Sequence, residues 1–280
     1  LPLTKLNLRL DPKLFAEHGV NVNDDSLAER VNQRNKRMEK LYNQQAKRNK
    51  QKVIWDKSLW ASGEISFDFK DWKPNERQNP IKAKNLGNKA FKLAHQMATN
   101  GHLNVIMSGD AGVGKTSLAL AMLSKLKQDN KTVLFVSVIA LSQLVSDQYE
   151  YNDRKEQLQD LKRAMCECDV LLLDDLGADG GSAEKVMSNG YTGARKDVQA
   201  LMFDVANNRY EGTKKEQNAA RKAGIKLSKP VHQTIITTNN MTEELERIYG
   251  ERTISRLISR DPNHRLAFND MEDMRTKEGI

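Results

Sequence analysis

The chain has 280 residues, 29% of them charged and 38% apolar, with a formal net charge of +8. That length suits one large α/β domain plus an appendage. No apolar run approaches the roughly 18 residues of a membrane span. Nothing reads as a signal peptide, and two cysteines make no disulfide framework, so a cytoplasmic protein with no membrane partner is expected.

Residues 1–23 are mixed, and Pro2 and Pro12 argue against a long helix there. Residues 24–53 suit a helix, with only a thin apolar stripe of Val31, Met38, Leu41 and Tyr42. Between Glu29 and Lys52 there are nine Lys/Arg against two acids, a charge of +7 and almost the whole excess. Two readings fit: a solvated helix or basic arm, or a helix that docks on an acidic protein face or on DNA. All three tryptophans, Trp55, Trp60 and Trp72, fall in 54–75 beside Phe67 and Phe69, as a hinge packing on the next domain would place them. The expected division is therefore 1–75, a basic and mainly helical partner-binding region, and 76–280, an α/β domain.

A helix over 82–99 follows, ended by Asn100-Gly101. Strands and helices then alternate, which predicts a parallel sheet. Strands are expected at 103–107, 132–138, 169–173, 233–237 and 265–268, five in all. Helices are expected at 116–128, 140–149, 153–167, 197–210, 243–249 and 251–260. Residues 177–193 read as a Gly-rich loop, and 212–229 as a basic insertion. Cys166 and Cys168 have no clustered His or further Cys to complete a zinc site, and should pack near a helix end.

The run Gly109-Asp110-Ala111-Gly112-Val113-Gly114-Lys115-Thr116 fits the phosphate-loop pattern at every required position. Glycines let backbone N–H groups turn inward on a polyphosphate, Lys115 adds a positive charge, and the Thr116 hydroxyl can ligate Mg²⁺. The loop lies between an apolar strand and a helix opening at Ser117, which aims a helix N-terminus at an anion. Residues 109–117 are the candidate nucleotide contacts. Val170-Leu171-Leu172-Leu173 runs into Asp174 and Asp175. At the C-terminal end of a buried parallel strand, Asp174 can help hold Mg²⁺ beside Thr116, and Asp175 can polarise a water for attack on the γ-phosphate. Thr237-Thr238-Asn239-Asn240 ends the fourth strand. Its polar groups either orient that water or form a plain turn with Thr242 as N-cap. Arg252 and Arg256 share one helix face. They are either a solvated basic face or a source of charge stabilisation across a subunit boundary.

Taken together, GDAGVGKT, LLLDDLG, LMFDVANNRYE, TIITTNN and GERTISRL, in that order, resemble the DnaC/DnaI-like bacterial and phage helicase loaders of the AAA+ ATPases, and their IstB-like relatives. The likeness covers about residues 67–277. It implies an AAA+ P-loop fold with a truncated lid at about 261–280, ATP and Mg²⁺ as ligands, and assembly into a ring or spiral. It further implies a replicative hexameric helicase and single-stranded DNA as partners. By this resemblance Lys115 and Thr116 form Walker A, Asp174 and Asp175 Walker B, and Asn239 sensor 1. Arg256 resembles the arginine finger, with Arg252 second, and Arg275 the sensor 2 arginine. Asp175 stands where many relatives have Glu, and its shorter reach suits a slow switch. The helical pair at 140–167 is either an exposed charged pair or, as in relatives with an extra helix there, one that brings Lys155, Lys162 and Arg163 to phosphates and Tyr149 and Tyr151 to bases. Two other functions fit the same motifs: an IstB-like transposition helper acting on duplex DNA, and an ATP-binding scaffold with little hydrolysis.

Overall fold

A computed structural model describes residues 25–99, 103–180, 194–224 and 232–274. The chain forms two compact units, residues 1–49 and 50–280. In the first, the described residues belong to helix α1 (Asp25–Trp55), whose side chains from Glu29 to Asn49 are all exposed. Good helix formers with no Pro or Gly explain the helix. Its apolar stripe faces water, with Val31 49% and Tyr42 72% exposed.

The second unit is built on five parallel strands: β1 (Val105–Ser108), β2 (Val133–Ser137), β3 (Val170–Asp174), β4 (Gln233–Thr238) and β5 (Arg265–Ala267). Their order is β2-β3-β4-β1-β5. Strands β1, β2 and β3 are apolar up to their last residue because helices cover both faces, while β4 carries buried Gln233 and threonines around Ile235 and Ile236. Alternate residues feed two cores. Met107, Phe135, Leu172 and Ile235 pack on one face, and Ile106, Leu134, Leu171, Leu173 and Ile236 on the other.

The first face carries α2 (Pro80–Thr99) and α3 (Lys115–Gln128), through Ala90, Leu93, Met97 and Leu118. The second carries α4 (Val138–Asp147), α5 (Asn152–Glu167), α6 (Lys196–Lys222), α7 (Thr242–Tyr249) and α8 (Glu251–Leu257). This is the α/β architecture with a parallel five-stranded sheet expected from the sequence. With Leu172 fully buried, Leu172→Ala costs about 2–5 kcal/mol.

Two expectations change. The helix expected to end at Tyr210 continues as α6 to Lys222, through the basic stretch. Gly212 does not end the helix; it admits the His232 ring, which lies 3.0 Å from where a Cβ would stand. Helix α7 starts at Thr242 with Met241 as its N-cap, so Thr242 is not the cap. The aromatic segment packs on the core of the second unit, as expected. Leu59 pairs with the outer edge of β2, Trp60 stacks on Phe135 at 3.9 Å, and Trp72 is buried.

The cysteines lie at the end of α5, as expected. There the buried Arg209 of α6 donates to the carbonyls of Met165, Cys168 and Gln233, tying α5, α6 and β4 together. Within residues 261–274, Arg265–Ala267 is the fifth strand. No described helix is long and apolar enough to cross a membrane.

Candidate nucleotide site

The sheet order sets β3, β4 and β1 side by side, so their C-terminal ends meet at one edge. Strand β1 leads into the phosphate loop, β3 into Asp174 and Asp175, and β4 into Asn239. A cleft of about 820 Å³ opens over this edge. Ala111, Gly112, Gly114, Lys115, Thr116 and Ser117 line it from the loop, joined by Asp175 and Asn239.

Gly112 and Gly114 have φ of 75° and 98°, which turns their backbone toward the cleft. Space as well as conformation demands glycine: a Cβ on Gly112 would lie 1.8 Å from the Asp273 carboxylate, and one on Gly114 3.0 Å from the Trp72 ring. Val113 points the other way and is buried in the core. Gly114 is the N-cap of α3 and brings no side chain, so the first-turn N–H groups remain to bind an anion.

Lys115 is 5% exposed. Its Nζ donates to the Gly109 carbonyl at 2.9 Å, the Asp110 carbonyl at 2.6 Å and Asn239 Oδ1 at 2.6 Å. Gly109 and Asp110 thus hold the lysine through their carbonyls. Asn239, 124 residues away in sequence, meets the same ammonium group.

Thr116 Oγ1 donates to Asp174 Oδ1 at 2.8 Å. One hydroxyl and one carboxylate side by side form an oxygen-only pair. This suits Mg²⁺, which binds through one or two carboxylates plus water and substrate phosphates. Among the described residues no three His, Cys, Asp or Glu cluster to hold a metal.

Thr237, which the motifs did not single out by itself, orders both acids. Its hydroxyl donates to Asp174 Oδ1 at 2.7 Å and accepts the Asp175 N–H at 2.9 Å. Asp175 adopts φ of 54°, a left-handed conformation that Asp tolerates better than most residues, and this turn brings it to the cleft. Burial pushes the Asp174 carboxyl above the usual range, while the Thr237 and Thr116 hydroxyls pull it back.

The turn continues to Gly177, whose N–H donates to the buried Tyr249 hydroxyl at 3.1 Å. That hydroxyl in turn donates to Asp179. Burial, reinforced by Asp179, raises the Tyr249 hydroxyl well above its ordinary value.

Arg252 and Arg256 stand elsewhere, and neither lines the cleft. Both lie over the Phe203 ring of α6, at 5.6 and 5.8 Å, and Arg256 also lies 5.2 Å from the Tyr210 ring. Arg256 donates to the Arg252 carbonyl, and its buried Nε has no hydrogen-bond partner. Arg275 lies outside the described residues. On the 140–167 pair, Tyr149 and Tyr151 are exposed, but Lys162 pairs with Asp204 at 2.7 Å and Arg163 with Asp160 at 3.6 Å.

The opposite wall of the cleft escaped the motifs. It comes from residues 62–77, including Ile65, Phe67, Asp71, Lys73 and Arg77, with Met274 from beyond β5. No spacing rule links this stretch to residue 114; the only sequence signal was its cluster of aromatics.

These features are those of a phosphate-loop nucleotide site. Residues 81–215 match the family model described as IstB-like ATP binding protein. The chain is similar to the uncharacterized protein YdaV of Escherichia coli (strain K12), with 33% identity over 88 residues, 31% of this chain and 34% of that protein. It is similar to the insertion sequence IS21 putative ATP-binding protein of Pseudomonas aeruginosa, with 32% identity over 108 residues, 39% of this chain and 34% of that protein. The matched stretches thus span about a third of these curated relatives. Among solved structures, DnaI is similar at 16% identity with a TM-score of 0.47, over 74% of this chain and 91% of that one.

Proposed function

We propose that this chain is a slow ATPase switch that loads the replicative DNA helicase. In this account ATP binding assembles copies of the chain on single-stranded DNA, and hydrolysis releases the helicase. The observation that carries the ATPase part is the meeting of Lys115, Asn239, Thr116, Asp174 and Thr237 through hydrogen bonds of 2.6–2.8 Å. Lys115 and the N–H groups of the loop bind the phosphates. Thr116 and Asp174 would hold Mg²⁺, which when bound neutralises charge on the outer phosphates. Asp175 polarises the attacking water, and Asn239 orients it from beside Lys115. Arg256 of a neighbouring copy supplies charge from outside, with Arg252 as the alternative, and Arg275 reads the nucleotide from the tail. The basic residues 29–52 serve the partner-binding region. The helicase part is supported by the ordered set of loader-like motifs and is tested by co-purification with a hexameric helicase. Complex formation that depends on ATP is expected; no complex under any nucleotide condition would exclude it.

A second reading is an ATPase that acts with a transposase on duplex DNA. It is favoured by the IstB-like match over 81–215 and by the IS21 relative. Affinities for single- and double-stranded DNA at one stated salt concentration separate the two. A single-strand preference supports the loader, and a duplex preference the transposition helper.

A further inference from the structure

We infer that Arg77 is a second phosphate-binding cation of the cleft, directed at the phosphates that ATP and ADP share. The inference deepens, and rests on, the nucleotide site described above. Between Asn75 and Asn79 the chain is exposed except at Arg77, which is half-buried and lines the cleft. Its guanidinium lies 4.7 Å from the centre of the Trp72 ring. One of its terminal nitrogens stands 3.0 Å from where a Cβ of Gly114 would be. The group therefore sits against the N-cap of α3, where the loop turns its N–H groups to an anion.

The platform beneath Arg77 is fixed. Trp72 is 6% exposed, and its Nε1 donates to the Ala83 carbonyl at 2.9 Å. Its ring fills the space that side chains at Gly87 and Gly114 would need, at 2.8 and 3.0 Å from their Cβ positions. Gly87 of α2 and the N-cap Gly114 thus make room for one indole. The indole holds one planar cation at the phosphate loop. A guanidinium stacked on a ring is a planar, charged donor of the kind that suits phosphate oxygens.

The direction of approach decides which phosphates it meets. Lys115, Asn239, Thr116 and Asp174 converge from β3, β4 and the inner side of the loop. They frame the end where the terminal phosphate is cleaved. Arg77 arrives from the segment before α2 and touches the loop at Gly114. It therefore serves ATP and ADP alike, and holds the nucleotide across hydrolysis without taking part in the bond-breaking step.

The test is titration of the full chain with fluorescent ATP and ADP analogues, using Arg77→Met, Arg77→Lys and Lys115→Ala. Methionine keeps apolar contact with Trp72 and removes the charge. The expected result is about tenfold or greater loss of affinity for both nucleotides in Arg77→Met. Arg77→Lys should recover part of it, and the nucleotide-free unfolding temperature should stay within about 3 °C of wild type. Arg77→Met affinities within about twofold of wild type, alongside loss of binding in Lys115→Ala, would overturn the Arg77 role and leave the nucleotide site standing. Weaker binding accompanied by nucleotide-free unfolding lowered by more than about 8 °C would assign Arg77 to structure and also overturn it. Failure of the wild type to bind either nucleotide would overturn both.

Discussion

The nucleotide cleft and helix α8 hold their charged groups in different ways. In the cleft, Lys115 donates to three oxygens, and the two acids share Thr237. On α8, Arg256 rests on the rings of Phe203 and Tyr210 with one hydrogen bond, to the Arg252 carbonyl, and a buried Nε without a partner. A guanidinium offers five donors, and on α8 one hydrogen bond, to the Arg252 carbonyl, uses one of them. The proposed role of Arg256 in a neighbouring copy's site turns on this contrast.

The largest effect expected bears on that contrast. Arg256→Ala should lower oligomer-dependent ATP turnover by about a thousandfold and leave ATP affinity within about twofold. Steady-state turnover against protein concentration checks this. Equal losses in Arg252→Ala and none in Arg256→Ala would reassign the role to Arg252.

Next in size, Lys115→Ala should weaken ATP binding about a hundredfold, read by equilibrium titration, because the charge nearest the outer phosphates is removed. Unchanged binding would show that the cleft is not the nucleotide site. Thr237→Val should cost about 2 kcal/mol in denaturant unfolding, since Asp174 loses a donor and the Asp175 N–H its acceptor in a buried place. Turnover should fall with it. A change in stability alone would make Thr237 a matter of packing.

The smallest effect concerns Asp174. Its folded-state carboxyl titrates above the usual range because it is buried. Ionisation therefore costs the folded state stability as pH rises from the ordinary carboxylate range through the raised value. Asp174→Asn removes that cost and keeps an acceptor for both hydroxyls. The nucleotide-free variant should unfold at a slightly higher temperature than wild type at neutral pH, and at an equal or lower one below the carboxylate range. Mg²⁺-dependent binding should be lost in the same protein. Scans with and without Mg²⁺-ATP check both outcomes.

Much of the fold was legible because β1, β2 and β3 carry apolar runs and the phosphate loop has fixed internal spacing. Residues 109–116, Asp174-Asp175 and Asn239 lie at strand ends, so placing the strands also placed them. The far wall was not legible. Arg77 reaches Gly114 only because Trp72 fills the space left by Gly87 and Gly114, a packing fact with no local pattern. The helix expected over 197–210 runs on to Lys222, and the glycine within it, Gly212, faces the ring of His232. Thr237 was visible as one polar residue in a run of four. Its two hydrogen bonds arise from the pairing of β3 with β4.

The central claim is that ATP is hydrolysed in a site shared between copies, with Asp175 from one and Arg256 from the next. Mixing Asp175→Asn with Arg256→Ala tests it most directly, since each alone should be nearly inactive. In a random equal mixture about a quarter of the interfaces join an intact acid to an intact arginine, so ATP turnover should recover to about that fraction of wild type. No recovery at any concentration, with both variants still binding ATP and assembling, would contradict the claim.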